Sequence, residues 1–225
     1  MDLIRTNISN LWGSNIKLTN LDHSRIIEIG KSINNISKDI EFKNIVTPSL
    51  VVVGSQSSGK SSVLNSILRM DILPTGKSIV TRTPLNLQLV QTENGMGAQF
   101  LDYSNGKFKI TKSIKLTDPT PTKDELEMIY HEINTQTVTK AGNEANISES
   151  EIHLKIFSPH VPNLNLIDLP GLTMVACTDR GQPSDIKQKV RKLISKYIKE
   201  ERNIILSIMP AREDLEADIA LDLIK

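Results

Sequence analysis

Eight consecutive residues, Gly54-Ser55-Gln56-Ser57-Ser58-Gly59-Lys60-Ser61, satisfy the spacing G-x-x-x-x-G-K-[ST]. That combination suits the cradling of phosphate groups. Glycines let a backbone curl around phosphate oxygens without a Cβ clash. The exposed N–H groups form an anion nest, and a helix starting at Lys60 points its positive end at the same place. Lys60 would reach the β- and γ-phosphates, and Ser61 would place its hydroxyl on Mg2+. Gly54 to Ser62 is therefore the candidate nucleotide-binding segment, including Ser58, Gly59 and Ser62 as cradle positions. The chemistry implied is the binding of a nucleoside triphosphate with Mg2+.

A second motif is Asp168-Leu169-Pro170-Gly171, at the end of the apolar run Leu164-Asn165-Leu166-Ile167. A carboxylate at a strand's C-terminal end, beside a phosphate-loop strand, belongs where a Mg2+ shell needs one. Asp168 would act there through water, and Gly171 would offer its backbone N–H to the γ-phosphate. A third element is Thr81, within Ser78-Ile79-Val80-Thr81-Arg82-Thr83-Pro84. A loop threonine about 20 residues after the phosphate lysine can close over Mg2+ and the γ-phosphate.

These groups need elements to hold them. The β-branched run Ser49-Leu50-Val51-Val52-Val53 reads as a buried strand feeding the loop, and 60–68 as the helix leaving it. Strands are expected over 85–90, 152–156, 164–169 and 203–208, and helices over 124–133, 185–199 and 214–225. At 24–40, Ile26, Ile29, Ile33, Ile36 and Ile40 recur at helical spacing. Alternating strands and helices imply an α/β fold, a mainly parallel central sheet with helices on both faces. The polar, glycine-bearing stretch 91–146 fits least well and reads as surface loops or a hairpin inserted in the sheet. Residues 1–23 form an N-terminal extension without a clear pattern.

Bulk properties set the bounds. The 225 residues suit one α/β domain or slightly more. Aromatics are only 4%, so the core must be built from Ile, Leu and Val. A net charge of +1 argues against a dedicated nucleic-acid binder. A single cysteine, Cys177, excludes an intrachain disulfide and fits a reducing compartment. No apolar leader and no spanning stretch is visible, so a soluble cytoplasmic protein is expected, with peripheral membrane contact left open.

The blocks 54–65, Leu73-Pro74, 79–85 and 158–173 together resemble the dynamin family of large GTPases. Gln182-Pro183-Ser184-Asp185-Ile186 and Asp214-Leu215 continue the likeness, which runs over about residues 25–225. The resemblance implies an extended P-loop GTPase domain over 24–225 that binds and hydrolyses GTP with Mg2+ to drive membrane remodelling or fission. It implies that Ser57 helps hold a K+ or Na+ ion between the phosphates, replacing an arginine finger. It gives Gln56 the organisation of the active site, with Lys60, Thr81 and Gly171 completing the catalytic set. Thr81 would share Mg2+ with Ser61 and Asp168, while Arg82 would be structural. Gly76 is the first of two family glycines whose carbonyls bind the cation; Ser78 stands at the second.

The same resemblance makes 24–40 a bundle helix. It makes the Asp214 region a contact between GTPase domains in a self-assembled dimer or higher oligomer, and adds microtubules as a candidate partner. The guanine-reading motif Thr/Asn-Lys-x-Asp occurs nowhere in the sequence, which is expected to stop before it. Two other functions compete: a nucleotide-loaded recruitment switch with little turnover, and a P-loop ATPase of another lineage. His23, His131, His153 and His160 show no metal spacing. The basic run Lys187-Gln188-Lys189-Val190-Arg191-Lys192 reads as a solvated helix face.

Overall fold

The computed structural model describes residues 48–73, 81–142, 146–172, 183–211 and 219–224. The expected helix at 24–40 and the extension 1–23 lie outside the described residues, as does the start of the expected helix at 214–225.

Strand β1 (Ser49–Val53) is followed by helix α1 (Lys60–Leu68). Strands β2 (Leu85–Gln91), β3 (Met96–Ser104) and β4 (Lys107–Leu116) precede helix α2 (Lys123–Ala141). Then come β5 (Ile152–Ser158), β6 (Leu164–Asp168), α3 (Ile186–Ile198), β7 (Ile204–Ser207) and α4 (Ile219–Ile224). The seven strands form one sheet in the order β4-β3-β5-β2-β6-β1-β7.

Successive side chains of a strand point to opposite faces, and β1 shows why both faces are apolar here. Val52 packs with Leu64 and Leu68 of α1 and with Ile129 and Ile133 of α2. Val51 and Val53 pack on the other face with Val190, Leu193 and Ile194 of α3 and Ala220 of α4. Helices therefore cover both faces, and a strand buried on both sides needs an unbroken apolar run.

The sheet is mixed. Strand β1 lies parallel to β6 and β7, and β2 parallel to β5. Strand β2 is antiparallel to β6, and β3 is antiparallel to both β4 and β5. The expectation of a mainly parallel sheet thus holds for the block β6-β1-β7 and not for the added hairpin. The antiparallel β2–β6 pairing has a purpose. It brings the start of β2, with Leu85 opposite Asp168, to the end of the sheet where the phosphate loop leaves β1.

Within 91–146, of the two expected readings, the inserted hairpin is the one found, as β3–β4. A register shift between Phe100 and Leu101 flips the outer half of β4. Ile114 and Leu116 are buried, while Phe108 and Ile110, of the same parity, are 56% and 49% exposed. Helix α2 begins with a capping box: Thr122 accepts from the Glu125 N–H, and Glu125 accepts from the Thr122 N–H. It runs on through 134–141, beyond the expected end. Thr135, Thr137 and Thr139 each return their hydroxyl to the carbonyl four residues back. That bonding satisfies side chains whose β-branching makes them weak helix formers.

Candidate active site

The loop between β1 and α1 is shaped by close approach. A Cβ on Gly54 would lie 2.3 Å from the Ile208 carbonyl oxygen and 2.6 Å from Ser58 Oγ, so only glycine passes. Ser57 (φ 65°) and Gly59 (φ 98°) both take left-handed backbone conformations. The Ser58 N–H donates to the Ser55 carbonyl at 3.2 Å, tightening the curl. Helix α1 has no side-chain cap and no acidic residue in its first turn, which leaves its positive end uncompensated. Ser61 is half-buried in that turn, and Ser62 is exposed.

Lys60 is only 8% exposed. Its Nζ folds back over the loop and donates to the carbonyls of Ser55 (3.0 Å) and Gly54 (3.3 Å). Burial pulls its pKa below the ordinary lysine value, and the Asp168 charge pulls it back up.

The segment after β6 makes the second wall. Asp168 lies at the end of β6, opposite Val52 of β1, which puts the carboxylate beside the loop's root. Leu172 donates its N–H to the Gly54 carbonyl at 3.0 Å and accepts from the Gln56 N–H at 2.9 Å. Together these form a parallel bridge between Ser55 and Leu172. A Cβ on Gly171 would lie 2.9 Å from Gln56 Cα and 3.0 Å from Lys60 Nζ. Glycine is thus what lets this wall close on the loop. The Gln56 N–H is already spent on Leu172, leaving the half-buried Gln56 side chain and the exposed Ser57 to face outward.

Asp168 is 3% exposed. Burial raises its carboxyl pKa to about 6, opposed by the Lys60 charge and by a hydrogen bond from Thr81. Thr81 Oγ1 donates to Asp168 Oδ2 at 3.0 Å. The other oxygen, Oδ1, is buried without a hydrogen-bond donor among the described residues. A buried carboxylate oxygen without a donor among the described residues, in a group bonded to the Thr81 hydroxyl, offers the hard oxygen ligand a divalent cation takes. The site therefore fits Mg2+, with Asp168, Thr81 and Ser61 as the chain's own ligands or water holders.

Arg82 reaches the C-terminal cap of α2. Its Nη1 donates to the Gly142 carbonyl at 2.7 Å, and its own carbonyl accepts from the Ser148 N–H at 2.9 Å. Below Thr81 a narrow cleft is lined by Leu73, Thr83, Leu85, Ile133 and Asp168. Leu73 is clamped there by both ends of the Asn65 side-chain amide. The sequence signal for Asn65 was a polar residue beside Leu64 on the buried stripe of α1. For Ile208 and Leu172, which act through backbone, sequence offers no signal.

Structure brings Gly54 to Ser62, Thr81, Asp168 and Gly171 to one end of the sheet. Gly76, Ser78, Cys177 and Asp214 lie outside the described residues. The basic helix α3 is partly neutralised by exposed pairs, Lys189–Asp185 at 3.1 Å and Arg191–Asp222 at 3.6 Å. Among the described residues, no helix is long and apolar enough to cross a membrane.

A mixed α/β sheet with a phosphate loop after β1, and an Asp at the end of the adjacent parallel strand β6, defines a P-loop nucleoside triphosphatase fold. Residues 50–225 match the family model described as the dynamin family, and the chain belongs to that family. It is 44% identical over 198 residues to Dynamin-1-like protein of Danio rerio, covering 84% of this chain and 26% of that one. It is 40% identical over 202 residues to Dynamin-A of Dictyostelium discoideum, covering 89% and 22%. Against Dynamin-related protein 3A of Arabidopsis thaliana the identity is 38% over 201 residues, covering 89% and 24%. The chain spans about a quarter of the length of these relatives.

Proposed function

We propose that this chain binds GTP with Mg2+ and hydrolyses it. The observation that carries the proposal is the convergence, at the phosphate loop, of Lys60, Thr81 and an Asp168 oxygen that has no donor among the described residues. Lys60 Nζ donates to the Gly54 and Ser55 carbonyls of its own loop, within reach of phosphates that the loop would cradle. Asp168 and Ser61 would hold Mg2+, which when bound neutralises charge on the triphosphate. Thr81 would complete that shell and, through its backbone, orient the attacking water. Gly171 would present its N–H to the γ-phosphate, and the unwound turn at Ser57 would offer its carbonyl and hydroxyl to K+ or Na+. Gln56 would organise the water's surroundings. The work is positioning and charge neutralisation.

Guanine preference comes from family membership. The larger role we infer is remodelling or fission of a membrane by a self-assembling protein, in the cytoplasm with peripheral recruitment; likeness to dynamin-family proteins supports it. Calorimetric titration with GTP and ATP, with and without Mg2+, tests the core of this reading. GTP should bind with Mg2+ dependence, and Lys60→Ala should abolish it; unchanged affinity in that variant would remove the P-loop from the mechanism. GTP binding without turnover, in K+ or in Na+, would favour a recruitment switch.

A further inference from the structure

Helix α1 buries one stripe: Lys60, Leu64, Asn65 and Leu68. Lys60 belongs to the phosphate site and the leucines to the core. Asn65 is 6% exposed, and asparagine is a poor helix former whose buried amide costs stability unless bonded. Here the amide is used at both ends. Nδ2 donates to the Leu73 carbonyl at 3.1 Å, and Oδ1 accepts the Leu73 N–H at 2.9 Å. Such two-point pairing fixes both the position and the orientation of one peptide, as a strand partner would. The Asn65 backbone carbonyl also accepts from the Met70 N–H at 3.2 Å, so the same residue ends the helix and receives the returning chain.

The clamped residue lies next to the site. Leu73 is 3% exposed and lines the cleft shared by Thr81, Thr83 and Asp168. Leu73 and Thr81 line the same cleft as Asp168, so an anchored Leu73 fixes part of the wall against which the Thr81–Asp168 pair sits. Lys60 and Asn65 sit on the same short helix, which ties the phosphate lysine and the Leu73 anchor to one rigid body.

We propose that Asn65 is a positioning residue for the Mg2+-facing wall of the site, acting through Leu73 on the Thr81–Asp168 pair. The proposal rests on the nucleotide and Mg2+ function given above. A role confined to stability would lower the melting temperature and leave the metal requirement alone. A positioning role changes the Mg2+ concentration the site needs.

The test uses the full chain and N-methylanthraniloyl-GTP, titrated in EDTA and over a series of Mg2+ concentrations. Asn65→Ala removes both hydrogen bonds, and Asn65→Ser is a gentler variant should the first fail to fold. Ser158→Ala is the control: Ser158 is fully buried, and its hydroxyl accepts the His160 N–H at 3.0 Å at the far end of β5. Both Asn65 variants should raise the Mg2+ concentration for half-maximal tightening about three- to tenfold, and leave affinity in EDTA within about twofold. Ser158→Ala should move neither. A Mg2+ half-point within about twofold of the parent in both Asn65 variants would overturn the proposal. Thr81→Ala separates the two levels of failure. If it shifts the half-point and the Asn65 variants do not, Asn65 is structural only. If the parent tightens with Mg2+ and Thr81→Ala does not shift the half-point, Thr81 is no part of the Mg2+ wall and this proposal falls alone; if the parent shows no Mg2+-dependent tightening, the nucleotide function itself falls and this proposal with it.

Discussion

Thr81 Oγ1 donates to Asp168 Oδ2 at 3.0 Å, across 87 positions of sequence. This bond joins the start of β2 to the end of β6, and the antiparallel register of those strands delivers it. It occupies one carboxylate oxygen and leaves the other without a donor among the described residues, in a group that burial already makes reluctant to ionise.

That reluctance gives a pH dependence. The carboxyl pKa is about 6 in the folded chain, above its ordinary 3.8. The folded chain therefore holds this proton more tightly than the unfolded chain does. The stability so gained is fully present below the unfolded value and is lost as pH rises through about 6. The loss is about 2–3 kcal/mol between roughly pH 4 and pH 7. Asp168→Asn should remove that component and be the more stable chain above pH 6 without nucleotide. Urea denaturation across this range checks it; parallel curves for both chains would contradict the assignment.

Lys60→Met should separate binding from stability. The ammonium is desolvated, and an apolar side chain of similar length relieves that cost. The melting temperature should stay level or rise, while GTP affinity falls by about 100-fold or more. Calorimetry and thermal denaturation on the same sample decide the point. A large fall in melting temperature would mean that the lysine holds the loop together through its two carbonyl bonds.

Gly171→Ala should damage both properties. Its Cβ would press on Gln56 Cα, a backbone atom that cannot swing aside. A cost of about 2 kcal/mol is expected, together with roughly tenfold weaker nucleotide binding. Retained affinity with lowered stability would show that the second wall can back away from the loop without loosening its grip.

Arg82→Ala distinguishes a structural arginine from an arginine finger. Arg82 donates to Gly142, at the C-terminal cap of α2. Its loss should cost about 1 kcal/mol of stability. Single-turnover hydrolysis should slow by less than about tenfold, against the 1,000-fold or more that loss of a finger costs.

Much of this was legible in the residues. Strand β1, the phosphate loop and α1 follow from a β-branched run, two glycines and one amphipathic stripe, and their bounds in the fold agree with 49–53 and 60–68. The Asp168 strand was legible for the same reason. The hairpin was legible only as an alternative to surface loops, without strand bounds. Extra Thr111 shifts the register of β4, so one parity of apolar residues serves both faces and no single period describes the strand. The second half of α2 was hidden by threonines whose hydroxyl bonds exist only once the helix does. Contacts made by backbone atoms, such as those of Ile208 and Leu172, leave no mark on residue type.

The bridge between Ser55 and Leu172 has a consequence for how the site could report its contents. One wall is joined to the phosphate loop by two backbone hydrogen bonds that continue the sheet. Thr81 is held to Asp168 by one hydroxyl, while its neighbour Arg82 stays tied at both side chain and backbone. A single such bond is worth about 1.5 kcal/mol, so roughly one molecule in ten carries the hydroxyl turned away at any moment. Resetting it takes a side-chain rotation, a motion of picoseconds to nanoseconds, and no movement of the sheet. The arrival of a cation would therefore be registered as a change in the occupancy of one rotamer, against a partner wall too stiff to follow.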